Sequence, residues 1–212
     1  MYEHQDVVST RQIQKMLPFL TKLQVEELAG AGGFGPGYRL LNDGNETKKA
    51  SQLAFPVERV HEMQQWPRIQ LDDLEQLLAP SRLAVILRQT RRQEALDDDT
   101  RTYYGVDLEV ERSPDPEVRK QQDLATGRWW ELSRGTQERI EQEISERGFV
   151  PLISTVATAV LLTRKIVGID YALSRRLGAK NFAFVLDAPN ESVSRAWLNA
   201  GPGKPLKIWR HR

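Results

Sequence analysis

The chain has 212 residues, 40% of them apolar and 28% charged, with a net charge of +1 and no cysteine. That length and balance predict a globular protein with enough chain for a real core, arranged as one large domain or two small ones. The missing cysteines exclude disulfides, thiol nucleophiles and cysteine-ligated metals, which fits a reducing cytoplasm.

Met1 to Asp6 has neither the basic nor the apolar region of a secretory signal. Ser9-Thr10 followed by Arg11 to Leu17 reads as a capped short helix stopped by Pro18. A second helix is predicted over about 21–29. Gly30 to Gly37 then holds five glycines and one proline in eight residues and breaks any regular element. Tyr38 to Leu41 reads as a short strand before the turn Asn42 to Asn45. Phe55 to Gln64 and Leu71 to Leu78 read as helices separated by Trp66-Pro67.

Leu83 to Leu87 is a run of apolar residues, a buried strand. The charged stretch Arg88 to Thr100 follows. Tyr103 to Glu111 alternates, with Val106, Leu108 and Val110 on one side and Asp107, Glu109 and Glu111 on the other, the pattern of a half-buried strand. Two prolines in Arg112 to Pro116 mark a linker. The charge sign changes there: residues 1–120 sum to −4 and residues 121–212 to +5.

Beyond the linker, Arg128 to Leu132 reads as a strand and Thr136 to Arg147 as a helix stopped by Gly148. The run from Val150 to Ile169 is rich in β-branched residues and favours two strands with a turn near Arg164-Lys165. A helix from Pro151 competes, because Leu152, Val156, Ala159 and Thr163 also share a helical face. The longest apolar stretch, Phe149 to Leu162, is interrupted by Pro151, Ser154, Thr155 and Thr158 and is shorter than a bilayer span, so it reads as core. Phe182 to Leu186 is a strand, Glu191 to Leu198 a short helix, and Leu206 to Trp209 a closing strand. Together the elements predict an α+β protein: a mixed helical and strand region over 1–116, then a small, basic, partly barrel-like β-rich domain over 117–212.

No motif names a reaction. Gly30, Gly32 and Gly35 match G-x-G-x-x-G, but a phosphate loop needs a strand before it and a helix after it. Here a helix precedes and Pro36-Gly37 follows, so the segment reads as a flexible turn. Asp97 to Asp99 with Asp107, Glu109 and Glu111 could hold Mg²⁺ in a metal-dependent hydrolase or nuclease. Arg112 stands where such a site wants a lysine, and a solvated strand face is the simpler reading. His4, His61 and His211 have no metal-ligand spacing. No cofactor and no metal are expected.

Gly148 to Arg212 holds ten Lys/Arg against three acids, a net +7, together with the β-rich apolar segments. A folded basic end of this kind suits a polyanion. On a strand the rings of Trp129 and Trp130 point to opposite faces. One can enter the core; the other fills an interface between domains or, beside Arg128, stacks on a base.

The order strand, helix, β run, strand, short helix, strand over residues 124–212, opening on the aromatic strand Arg128 to Leu132, resembles the PUA-like barrels, including the EVE and ASCH types. The resemblance implies an α+β barrel that binds RNA or modified DNA bases. The leading expectation is therefore a cytoplasmic, non-catalytic nucleic-acid-binding or sensing protein, for DNA or RNA and without membrane attachment. Phosphates would meet Arg164, Lys165, Arg175, Arg176 and Lys180, and Trp129 or Trp130 would supply an aromatic contact beside Arg128. The alternative is an assembly subunit whose basic end docks on an acidic protein or on a second copy. Clustering of the five cations on one face favours the first, and pairing of each with an acid favours the second.

Overall fold

The computed structural model describes residues 6–39, 53–96, 98–172, 181–189, 193–201 and 204–211. In chain order the elements are β1 (Val7–Ser9), α1 (Thr10–Met16), α2 (Lys22–Gly30), β2 (Tyr38–Arg39), β3 (Leu53–Pro56), α3 (Val57–Gln64), β4 (Arg68–Gln70), α4 (Leu74–Leu77), β5 (Leu83–Arg88), β6 (Gln93–Glu94) and β7 (Tyr103–Tyr104). They continue as α5 (Leu108–Glu111), α6 (Pro116–Gly127), β8 (Trp130–Glu131), α7 (Arg134–Arg147), β9 (Val150–Val156), β10 (Ala159–Asp170), β11 (Asn181–Asp187), β12 (Trp197–Asn199) and β13 (Leu206–Arg210). The protein is α+β.

The main sheet has eight strands and runs β13-β5-β9-β10-β11-β8, with β12 joining β10 to β4. β5 and β9 are parallel, as are β12 and β4; the other pairs are antiparallel. Both faces of the centre are buried, which is why Leu83 to Leu87 and Val150 to Val156 carry no polar alternation. Ala84, Ile86 and Ile153 pack on one side with Leu74, Leu198 and Trp209. Leu83, Val85, Leu87 and Leu152 pack on the other with Ile140 of α7 and Phe182. A third cluster joins α1, α2 and α3 to Trp197 and the tip of the β9–β10 hairpin. Ser9 with Gln12 and Thr21 with Gln24 close capping boxes that start α1 and α2.

Several expectations are corrected. The hairpin turns at Ala157-Thr158, both with positive φ, and not near Arg164-Lys165. Two positive φ values in a two-residue loop match the twist of the flanking strands, and β10 then runs on through Arg164. Of the competing readings for Val150 to Ile169, two strands form.

Tyr103 to Glu111 is not one strand. β7 stops after two residues, and Asp107 caps α5 by accepting from the backbone N–H of Glu109 and Val110. A capping aspartate outweighs the alternation. The helix expected from Phe55 begins only at Val57, after β3. Leu71 to Leu78 yields only the four-residue α4. Trp197 and Leu198, expected to close a helix, lie in β12. The Asn42 to Asn45 turn lies outside the described residues.

The segment Arg112 to Pro116 is a short connection between helices: Arg112 ends α5, Asp115 caps α6 and Pro116 sits in its first turn. It does not separate two sheets. β5, from before it, lies between β13 and β9, from after it. The sheet is open among the described residues, ending on β13 and β8, so the partly barrel-like form expected for 117–212 is not closed.

Candidate functional site

Among the described residues, the cations and tryptophans singled out above do not form one surface. Arg175, Arg176 and Lys180 lie outside the described residues. Arg164 is only 5% exposed. Its Nε donates to Asp123 Oδ1 at 2.7 Å, its Nη2 to Glu111 and its Nη1 to the Thr163 carbonyl. Burial opposes its charge, but the two carboxylates outweigh burial and hold the guanidinium above its ordinary range. Three of its five N–H groups are engaged inside the protein and the side chain is buried, which weighs against its assignment to phosphates. Lys165, half-buried, lies 5.0 Å over the Phe149 ring.

The tryptophan pair divides. Trp130 packs on the core and donates its indole N–H to the Thr126 carbonyl at 2.9 Å. Trp129 lines a depression of about 480 Å³ with Tyr104, Arg101 and Asn181. Its N–H donates to Asp98 Oδ2 at 2.8 Å. Arg128 lies over the Trp129 ring and donates to the Thr100 carbonyl. Burial works against the charge of Asp98. Bonds from Thr100 and Trp129 and the charge of Arg101 outweigh it, and the carboxyl is held below its ordinary value. Glu94, Asp98 and Asp99 rim this depression, an unfavourable setting for a phosphate chain.

The middle of the glycine segment is packed: Ala31 and Phe34 are fully buried. It follows the C-terminal end of α2 and turns carbonyls outward, with Gly33 O accepting from Arg59 Nε at 3.1 Å. A phosphate loop presents N–H groups instead. Asp107 is a cap and Glu111 an ion-pair partner of Arg164. Among the described residues no group of three or more His, Asp or Glu could hold a metal.

Two sites that sequence reading missed emerge. The first is a groove beside the hairpin tip. Parallel pairing of β4 with β12 sets Arg68 opposite Trp197 and Gln70 opposite Asn199. The two-residue period puts all four on one face, while Ile69 and Leu198 enter the core on the other. Phe19, 38% exposed, packs its edge on Trp197 at 4.9 Å, and the Arg68 guanidinium lies 4.1 Å over the Phe19 ring. Gln24 and Asn199 spend their oxygens on the backbone N–H groups of Thr21 and Gly201 and keep their NH₂ groups.

The depression, about 300 Å³, adjoins a second of about 200 Å³, with Gln24, Thr158 and Asn199 common to both. In the second, Arg88 donates to the carbonyls of Gly201 and Lys204, and Lys207 beyond it to Ala200 O. Among the described residues no carboxylate lines either depression. Arg68, Arg88 and Lys207 make no ion pair among the described residues.

The second site is a cleft of about 530 Å³ on the other side of Trp66, lined by Arg59, Arg112, Arg164 and Arg195 with Val160 to Leu162 of β10. Arg59 lies 5.1 Å over the Trp66 ring and pairs with Glu62. Arg195 reaches the same carboxylate at 3.5 Å. The Arg59 hydrogen bond, against burial, and then the Arg59 and Arg195 charges hold the Glu62 carboxyl below its ordinary value. Trp197 stands 5.7 Å from Trp66, so a ring series Phe19, Trp197, Trp66 runs from the groove to the cleft.

No protein-family model matches the chain, and neither a curated protein nor a solved structure gives a significant match. Among the described residues, no helix is long and apolar enough to cross a membrane.

Proposed function

We propose that the protein is a non-catalytic nucleic-acid-binding protein that takes a single strand, DNA or RNA, along the groove of Phe19, Arg68, Gln70 and Asn199. The observation that carries this reading is that, among the described residues, no carboxylate lines two adjoining depressions that hold guanidinium groups without an ion-pair partner. Cations without acids attract phosphates, an exposed ring stacks on bases, and amide groups hydrogen-bond base edges. A duplex fits less well, because stacking on Phe19 needs an unpaired base.

The test is fluorescence anisotropy with labelled single- and double-stranded DNA and RNA across a salt series. The single strand should bind more tightly than the duplex, with a log–log slope of about −0.7 per phosphate contact. Arg68→Ala should lower that slope by about one contact. Phe19→Leu should cost about 1–3 kcal/mol with little change in slope. Absence of binding to every probe at low salt, with the fold intact by circular dichroism, removes the reading.

A further inference from the structure

The arginine cleft is a different kind of site from the groove. Three observations set it apart from a solvated basic surface. Arg112 makes no ion pair among the described residues; its nearest acceptor is the Gly32 carbonyl at 3.5 Å, the outer limit of a hydrogen bond. Partial burial, and then the like charge of Arg59, push its guanidinium below the ordinary range, against the smaller opposing effect of the Glu109 and Glu62 charges. A cation held beside a second cation and directly paired with no acid among the described residues is a position that an anion relieves.

The second observation is Trp66. Its side chain lines the cleft and the residue is 7% exposed, and its indole N–H is directed to the Glu62 carboxylate outside ordinary hydrogen-bond geometry. A buried donor so poorly aligned costs free energy that a better-placed ligand oxygen would recover. The third is size. About 530 Å³ lies within the range of small-molecule sites and exceeds what a bare inorganic anion needs. Leu108, Val160 and Leu162 give it an apolar wall for an organic group.

We propose that this cleft binds a phosphate monoester of mononucleotide size, with the phosphate between Arg59, Arg112 and Arg195 and the Trp66 N–H as a further donor. Arg164 contributes charge from behind, its guanidinium being held by Glu111 and Asp123. A dianion suits the site better than a monoanion, because Arg59, Arg112 and Arg195 carry three positive charges and the adjoining Glu62 carboxylate cancels only one of them. The monoester can belong to a free nucleotide or to the end of a strand. The site stands without the groove.

Isothermal titration with adenosine 5′-monophosphate, with adenosine, and with one oligonucleotide carrying either a 5′-phosphate or a 5′-hydroxyl tests the proposal. The monophosphate should bind and adenosine should not. Arg112→Ala should weaken the monophosphate about 10–100-fold, as loss of a charge-assisted bond does. Trp66→Phe should weaken it about 2–10-fold. Arg112 is exposed, so its variant tests the site without threatening the fold.

Among the described residues no histidine lines the cleft, and its charged groups are the arginines, Glu111 and the adjoining Glu62. Affinity should therefore rise with the second ionisation of the phosphate, near pH 6. Preference for the 5′-phosphorylated oligonucleotide, lost in Arg112→Ala, assigns the ligand to a strand end; binding of the free monophosphate alone assigns it to a nucleotide. Arg112→Ala should act on the monophosphate and Arg68→Ala on the 5′-hydroxyl strand, so the two sites fail separately. No binding of either phosphorylated probe to folded protein overturns the proposal, as does binding that Arg112→Ala leaves unchanged.

Discussion

Arg164, in the middle of β10, donates to Glu111, the last residue of α5, across 53 positions of sequence. The same guanidinium reaches Asp123 on α6, so one buried cation ties both helices to the sheet. Removing it strands two carboxylates against an apolar strand. Both retain some exposure, so the loss falls below that of a fully buried pair. Arg164→Ala should cost about 2–4 kcal/mol, and Arg164→Lys, which cannot hold both acids in fork geometry, should fall between it and the parent protein. Urea unfolding measures this; a change under 1 kcal/mol would show that the helices hold without the bridge.

That bridge also marks where sequence reading stops. β5, β9, β11, β13, α7 and its Gly148 cap were legible because each is written in local periodicity or turn chemistry. Arg164 reads locally as one more member of a basic segment, and its acids lie 41 and 53 residues earlier. The groove was illegible for the same reason. Arg68 and Gln70 belong to a three-residue strand with no pattern of its own, and only pairing with β12 makes their face a site. The alternation in Tyr103 to Glu111 misled because it is equally compatible with a turn and a capped helix once Asp107 is the cap.

Gln122 is fully buried on α6 and uses both ends of its amide. Its oxygen accepts from the Asp107 N–H at 2.7 Å and the Tyr103 hydroxyl at 3.3 Å. Its nitrogen donates to Gly105 O at 3.0 Å and Thr126 Oγ1 at 2.9 Å. Gln122→Leu keeps the volume and leaves those partners unbonded in the interior. It should cost about 2–4 kcal/mol. Gln122→Glu should be worse at neutral pH, because it adds a buried charge and removes both donors. Chemical denaturation with an unchanged slope on denaturant would confirm that only native-state stability moved.

Three glycines should respond to alanine in three ways. At Gly105, φ is +91° and an added Cβ would lie 2.5 Å from Arg91 O and 2.7 Å from Thr90 O. Backbone cannot give way there, so Gly105→Ala should cost about 3 kcal/mol or more. At Gly148, φ is +86° but nothing lies within 4 Å of the Cβ position, so only the left-handed conformation costs, about 1–2 kcal/mol. Gly135, in the first turn of α7, also faces open space and has an ordinary φ. Gly135→Ala should stabilise by about 0.5–1 kcal/mol. Thermal melts of the three should keep that order.

Asp98 predicts a specific acid sensitivity. Its carboxylate accepts from Trp129 Nε1 and Thr100, and Arg101 lies at 2.8 Å. These contacts outweigh burial and set its folded pKa below the ordinary 3.8. A depressed value means that the unfolded chain takes up the proton first. The stabilisation is therefore present in full above about pH 4 and is lost as pH falls through the folded value. Asp98→Asn should be less stable than the parent at pH 7 and converge with it in strong acid, because protonation has by then removed the same charge. The Trp129 indole reports the event, so the parent should show a change in tryptophan emission over that window that Asp98→Asn lacks. Melting curves with identical pH dependence in the two proteins would mean that Asp98 holds no such proton-linked contact.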